Sequence, residues 1–391
     1  MTQSLRKVYV ALFISIFVLL FGWSLRSIPD YQTPQGISVI DGKWAKSFET
    51  HFDKEFPVKR LGTNVWAAID YLAFGEGRPG VIVGRENWLF SDEEVHTVAH
   101  AERNTAENWA LIRGVRKELE AHGITLVLAI LPAKARVYPE YLGRERPGSA
   151  MLPLYQQFHA EADKAGLIAP DLLAPLQDAK QGGSQVFLRT DTHWTPAGAE
   201  VVARQLGERI RSARLLQEPP RRYVTQPGAV REHQGDLVAF LPLDPLFSAL
   251  LPAPDQLQMR STQPLEQGSG EDALFGEVKV PVTLIGTSYS ADPRWNFVGA
   301  LRESLQADVV SHAEDGRGPI LPMLTFLQTA SLEQSKPSVV IWEFPERYLP
   351  VANDLSSFDP QWLARLTQAS ANDQRVAQRT HAHPPVTRET N

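Results

Sequence analysis

The longest apolar stretch of the chain runs from Val8 to Leu25 without a charged residue. As a helix it would span about 27 Å, close to the hydrocarbon thickness of a bilayer. It has no polar face, so a buried helix of a soluble protein fits it poorly. Arg6 and Lys7 precede it, which predicts that the N-terminal end stays cytoplasmic and the rest of the chain lies outside. A cleaved signal peptide is the alternative, but its apolar core is usually shorter and no A-x-A-like site follows Phe21. An uncleaved anchor over residues 1–26 is therefore expected, followed by a Pro- and Ser-containing linker over 27–43.

From Trp44 to Phe74 the pattern is helical, with Phe48, Phe52 and Phe56 at intervals of four. The segment from Val81 to Phe90 reads as a hairpin, since Gly84 and Asn87 supply turn residues between apolar runs. An alternating pattern of helices and strands then begins. Asn104 with Glu107 suggests a capping box, Ile112, Val115 and Leu119 share one face, and Gly123 ends the helix. Ile124 to Leu131 is a continuous apolar run, expected of a strand buried on both faces. Gln185 to Leu188 reads as another short strand. Thr195 and Pro196 open a helix whose stripe is Val202, Leu206 and Ile210.

Regularity fades over about 217–276, which reads as an irregular insertion. It resumes with a strand from Val280 to Ile285 and a helix marked by Val298, Leu301 and Leu305. A strand over Ala307 to Val310, a helix over Ile320 to Leu332 and a strand over Ser338 to Glu343 follow. This order predicts an α/β fold with a mainly parallel sheet flanked by helices, in one large domain over 44–370. The tail, 371–391, is polar and aperiodic, and is expected to be disordered.

Composition removes several function classes. The chain has 391 residues, 43% hydrophobic and 21% charged, and a formal net charge of -6, so nucleic acid is not an expected partner. With no cysteine, thiolate nucleophiles, disulfides and Cys-based metal sites are excluded.

Two local patterns carry chemistry. The first is Arg189-Thr-Asp191-Thr-His193-Trp-Thr-Pro-Ala-Gly198, where a predicted strand gives way to a helix. Two residues apart, Asp191 and His193 can present their side chains on one side, and a carboxylate beside an imidazole fixes its tautomer. Equally, Asp191 could be a turn residue and His193 could pack against Trp194. The second is Leu284-Ile-Gly286-Thr-Ser288-Tyr-Ser290, where an apolar strand runs into a turn of small residues. Ser288 there could be a nucleophile beside oxyanion-binding N–H groups, or a helix cap, and Ser290 is the competing nucleophile. Taken together they suggest a triad in which Ser288 attacks an acyl carbonyl, His193 takes its proton and Asp191 orients His193. A metal is the rival use of Asp191 and His193. No third ligand stands at a recognisable spacing, His381 and His383 lie in the tail, and His96 and His100 sit on a solvated face. No metal or other cofactor is expected.

The stretches Thr190–Gly198 and Gly286–Ser290 resemble the alginate O-acetyltransferase family of the AlgJ and AlgX type. So do Gly84–Phe90, Leu131-Pro-Ala-Lys134-Ala-Arg136-Val-Tyr138-Pro139, Trp295-Asn-Phe297 and Trp342–Tyr348. The likeness covers roughly 40 to 350. It is nearest to the AlgJ type, with an apparent anchor and no room for the C-terminal carbohydrate-binding module of the AlgX type. The resemblance implies an SGNH-hydrolase-like domain and a periplasmic enzyme, held at the inner membrane, that moves acetyl groups onto mannuronate hydroxyls of alginate. It also implies a membrane-bound O-acyltransferase as acetyl supplier and cooperation with the alginate biosynthesis and secretion complex. Asp191, His193 and Ser288 carry over as the triad. The usual Gly and Asn oxyanion blocks of SGNH enzymes are not recognisable, so the N–H of Ser288 is the favoured oxyanion donor and Asn296 a second candidate. Arg294, Arg347, Lys134 and Arg136 are candidates for a uronate carboxylate, and Tyr289, Trp194 and Trp295 for stacking on a sugar, against plain structural roles for each. An esterase, in which water replaces the sugar hydroxyl, and a non-catalytic subunit of the acetylation complex are the competing functions.

Overall fold

The structure, a computed structural model, describes residues 3–265, 280–329, 332 and 336–368. The expected tail over 371–391 and the end of the expected insertion, from 266 on, lie outside the described residues. The described residues fall into two compact units, one within 1–79 with 238–252 and the other within 80–237 with 253–391.

The first unit opens with helix α1, Gln3–Ser24, whose 22 residues make about 33 Å of helix with almost none of it buried. It is long and apolar enough to cross a membrane. The helical pattern over 44–74 resolves into α2, Lys43–Glu55, and α3, Pro57–Ile69. Proline cannot continue a preceding helix but suits the first position of the next, so the break falls at Phe56, in extended conformation, before Pro57. Spacing by four stacks Trp44 on Phe48 and Phe48 on Phe52, with ring centroids 5.5 and 6.0 Å apart. Tyr31, from the expected linker, packs edge-on against Phe48 at 5.2 Å.

The second unit begins with the predicted hairpin, β1 (Val81–Val83) paired antiparallel with β2 (Leu89–Ser91). Then follow α4 (Ala101–Ala121), β3 (Thr125–Leu131), the short α5 (Lys134–Val137), α6 (Leu154–Lys164), α7 (Leu173–Gln181) and α8 (Pro196–Ser212). Asn104 does not cap α4. It lies one turn inside, buried, and donates to the carbonyls of Ala99 and Pro350, while His100 in left-handed conformation precedes the helix. The cap on α8 is as the sequence predicts, with the Thr195 hydroxyl accepting from Gly198 N at 3.1 Å and Pro196 first in the helix.

Residues 217–265 are not irregular throughout. They hold a long antiparallel ribbon, β4 (Tyr223–His233) with β5 (Asp255–Pro264). Most of β4 is exposed, so it lacks the apolar alternation that marks a half-buried strand. After it come β6 (Val282–Ile285), α9 (Ser288–Ala291), α10 (Phe297–Leu305), β7 (Val309–Ser311), α11 (Ile320–Gln328) and β8 (Val339–Pro345).

The main sheet has the order β3-β8-β6-β7 and is parallel throughout. Its strands are apolar at nearly every position because both faces are covered. Val127, Ala129 and Leu131 of β3 join one core with Val202 and Leu206 of α8 and Leu301 of α10. Leu126, Leu128 and Ile130 join another with Ile112 and Val115 of α4, Phe158 of α6 and Met323 of α11. This is the mainly parallel α/β architecture that the order of elements predicts. The expected strand from Gln185 to Leu188 is the exception. It makes only an isolated bridge, Phe187 to Trp194, and the chain folds back on itself through Leu188 N to His193 O and Thr195 N to Val186 O.

Candidate active site

The loop that carries Asp191 and His193 is not the end of a strand in the main sheet. It is a tight excursion between α7 and α8, and its shape is imposed from outside. Asp255, the first residue of β5, accepts from Arg189 N at 3.0 Å, Thr190 N at 2.9 Å and Thr190 Oγ1 at 2.6 Å. The ammonium of Lys134, the first residue of α5, donates to the carbonyls of Leu89, Arg189 and Asp191 at 2.5, 3.0 and 2.8 Å. Asp236 accepts from Thr192 N at 2.8 Å. Gly235 lets the chain after β4 approach closely, since a Cβ there would lie 2.0 Å from Thr190 O.

Ser288 follows β6 through Gly286 and Thr287 and opens α9. The buried carboxylate of Glu343, from β8, shapes this turn. It accepts from Thr287 N at 2.7 Å, from the Thr287 hydroxyl at 3.0 Å and from the Ser290 hydroxyl at 3.0 Å. Ser290 is thereby buried and engaged, which leaves Ser288, half-buried, as the serine facing His193. Burial pushes the Glu343 carboxyl above its usual range, against the opposing pull of those hydrogen bonds.

The two loops meet at His193. Its Nε2 lies 2.7 Å from Ser288 Oγ and its Nδ1 lies 2.6 Å from Asp191 Oδ1. Asp191 Oδ1 also accepts from His193 N at 2.9 Å, and Oδ2 from His233 Nε2 at 2.7 Å and Asp236 N at 3.1 Å. Burial alone would raise the Asp191 carboxyl. The hydrogen bonds from His193 and His233 outweigh it and hold the group well below the usual carboxylate range. Trp295, fully buried, lies nearly parallel to the His193 ring at 5.3 Å and edge-on to His233 at 5.6 Å. A serine hydroxyl bound to an imidazole, itself bound to an ionised carboxylate, can lose its proton as it attacks a carbonyl.

Asp191, His193 and Asp236 also bring potential metal-ligating atoms within 4.8 Å of one another. The chemistry of the donors argues for a hydrogen-bond network instead. Each oxygen of Asp191 already accepts two N–H groups, and those hydrogens occupy the lone pairs a cation would need.

Six residues expected to meet a uronate or sugar are instead engaged or buried within the protein. Lys134 is fully buried beneath its three carbonyls, and burial pushes its ammonium down to about 8. Arg136 grips Glu346 with Nε and Nη2, each at 2.8 Å, and also donates to the carbonyls of Met151 and Leu152. Arg347 is buried between Glu93, Glu94 and the Tyr289 hydroxyl. Tyr289 is buried and donates to Thr192 O at 2.7 Å, with burial pushing its phenol up. Trp194, like Trp295, is fully buried. The amide of Asn296 donates to Thr262 Oγ1 at 2.9 Å. Arg294 is the expected arginine that stays half-exposed, paired with Asp292 and lying over Trp295. By contrast Ser288 is the first residue of α9, where a helix leaves its N–H groups without an intrahelical acceptor.

This geometry has counterparts. Residues 81–346 match the family described as SGNH hydrolase-like domain, acetyltransferase AlgX. The chain is 57% identical, over 96% of its own length and 96% of the relative's, to the probable alginate O-acetylase AlgJ of Pseudomonas syringae pv. tomato. The chain belongs to the AlgJ/AlgX acetyltransferase family. Among solved structures, the O-acetyltransferase domain of Pseudomonas putida AlgJ superposes with a TM-score of 0.70 at 56% identity, covering 75% of this chain and all of that one. Pseudomonas aeruginosa AlgX gives a TM-score of 0.53 at 22% identity, over 69% of this chain and 65% of that one, which shows the fold alone. Within the family the AlgJ type is the nearer, as the sequence resemblance implied.

His233, Asp236, Asp255 and Glu343 are the site residues that sequence reading missed. Glu343 left a signal, a carboxylate inside an otherwise apolar strand. The other three sit in a segment with no periodicity.

Proposed function

We propose that this O-acetyltransferase moves acetyl groups onto hydroxyls of an exopolysaccharide, the mannuronate residues of alginate, through an acetyl–Ser288 intermediate. The reading is carried by the continuous contact from Ser288 Oγ through His193 to Asp191, at 2.7 and 2.6 Å. The substrate is carried over from the AlgJ relatives, named as probable alginate O-acetylases. As Ser288 Oγ bonds to the acetyl carbonyl carbon, its proton passes to His193 Nε2, and Asp191 stabilises the imidazolium through Nδ1–H. The oxyanion faces the Ser288 N–H. The donor's alcohol leaves with the proton from His193. A sugar hydroxyl then gives its proton to His193 and attacks the acetyl–serine, and as the bond to Ser288 Oγ breaks His193 returns the proton to it.

The apolar helix Gln3–Ser24 supports an anchor in the inner membrane with the acetyltransferase part in the periplasm. There a membrane-bound O-acyltransferase would supply acetyl groups, and the alginate biosynthesis and secretion complex would present the polymer.

The test uses the detergent-solubilised full chain, an acetyl ester and mannuronate oligomers. Acetylated oligomer is expected, and Ser288→Ala is expected to abolish it. Free acetate with no acetylated oligomer would make the protein an esterase. Full activity in Ser288→Ala would overturn the assignment.

A further inference from the structure

We propose that His233 and Arg294 are positioning residues of this site, extending it to a five-residue hydrogen-bonded chain that fixes Asp191 for its work on His193. The inference rests on the Asp191–His193–Ser288 reading above, and it follows from the direction each hydrogen bond must take.

A guanidinium has donors only. Arg294 Nη1 lies 3.1 Å from His233 Nδ1, so Nδ1 accepts and carries no hydrogen. The imidazole is then neutral, with its hydrogen on Nε2. That Nε2 lies 2.7 Å from Asp191 Oδ2 and donates to it. With Asp236 N–H, this fills Oδ2 and leaves Oδ1 to the Nδ1–H of His193. Each link selects the tautomer of the next. Arg294 directs His233, His233 directs Asp191, and Asp191 directs His193, whose Nε2 lone pair is left for Ser288.

The far end of the chain is anchored close to its start. Asp292 accepts from Arg294 Nε at 3.0 and 2.8 Å, and also pairs with Nη2. Asp292 closes the helical turn that Ser288 opens. The segment 288–294 therefore carries both the nucleophile and the arginine. Trp295 contacts both imidazoles and holds their planes. His233 is 7% exposed and cannot be an ordinary surface histidine. The charged groups around it are Asp191 and Asp236 ahead, Lys134 on the Asp191 carbonyl, Arg294 with Asp292 behind, and Asp255 opposite it in the ribbon.

The experiment measures acetate release from p-nitrophenyl acetate by the detergent-solubilised full chain. His233→Leu removes both hydrogen bonds, and kcat is expected to fall about tenfold to a hundredfold with KM little changed, the range found when a partner orienting a functional imidazole is lost. His233→Gln can donate from its amide and accept at its carbonyl, and should recover most of kcat. Arg294→Met, at a half-exposed position, keeps the folded protein testable if His233→Leu does not fold. It should lower kcat and shift the His233 imidazole from the Nε2–H tautomer, read from its ¹⁵N resonances. Wild-type kcat in folded His233→Leu overturns the proposal. So does His233→Gln falling as far as His233→Leu, or Arg294→Met with kcat and tautomer unchanged. Activity retained in Ser288→Ala overturns the triad itself. An inactive Ser288→Ala beside a fully active His233→Leu overturns the extension alone.

Discussion

Asp255→Ala isolates what the ribbon does for the loop it supports. The carboxylate is 4% exposed and accepts three hydrogen bonds, from Arg189 N, Thr190 N and Thr190 Oγ1. Hydrogen bonds to a charged group contribute about 1.5–3 kcal/mol each, so losing all three bounds the effect at roughly 4.5–9 kcal/mol. Water entering the space left would satisfy part of that, and removing one side of a buried charged contact usually costs about 3–5 kcal/mol. We expect a loss in that lower range. Asp255→Asn keeps the shape and one acceptor oxygen, and should lose only about 1–2 kcal/mol. Denaturant unfolding of the detergent-solubilised chain, followed by tryptophan fluorescence, measures both from the midpoint and slope. Acetate release should fall in step, because Arg189 and Thr190 lead directly into Asp191. A loss below about 1 kcal/mol in Asp255→Ala would refute the reasoning, since three bonds at 2.6–3.0 Å would then be organising nothing.

Two further outcomes follow from the same network. Gly286→Ala would place a Cβ 2.4 Å from Glu343 Oε2, so the carboxylate must leave the Thr287 and Ser290 donors. Overpacking of this kind costs about 1–3 kcal/mol, and the variant should lose stability and acetate release together. A fully stable, active variant would show that the Glu343 clamp is dispensable. The second concerns acid. Asp191 is held below the usual carboxylate range, so it contributes stability that is complete above its unfolded value of about 4 and is lost as pH falls from there toward the lower folded value. Asp191→Asn should therefore lose less stability than the parent chain between neutral pH and pH ~3, measured by denaturation at each pH, and parallel losses would contradict the assignment.

The elements legible in the sequence are those whose cause is local or periodic. The unbroken apolar run of β3 needs both faces covered, and the structure covers both. The Thr195-Pro196 start of α8 is a local cap. The break at Pro57, by contrast, also had a local cause and was overlooked in a segment read as continuously helical. At the site, Asp191 and His193 are two residues apart, and Ser288 stands where an apolar strand ends in small residues. Their chemistry was readable because each piece is short, and the family resemblance joined pieces that periodicity could not.

The groups that set these residues were decided by the tertiary structure. His233 reaches Asp191 across 42 residues, Asp255 reaches Thr190 across 65, and Glu343 reaches Thr287 across 56. No spacing rule links such positions, and the ribbon carrying two of them is too exposed to show alternation. The same holds for the basic residues. Lys134, Arg136 and Arg347 have the side chains of a carboxylate-binding surface, and only the burial of Lys134 under carbonyls and of Arg347 beside Glu93, and the pairing of Arg136 with Glu346, give them to the protein instead. The sequence by itself determined the apolar N-terminal helix and the buried parallel strands, because these follow from local pattern, and it presented an Asp-x-His loop and a serine turn that the family resemblance joined. Which polar groups hold that loop and turn in register was settled only when distant segments were packed out of water and the backbone N–H groups of Arg189, Thr190, Thr192 and Thr287 met carboxylates from elsewhere in the chain.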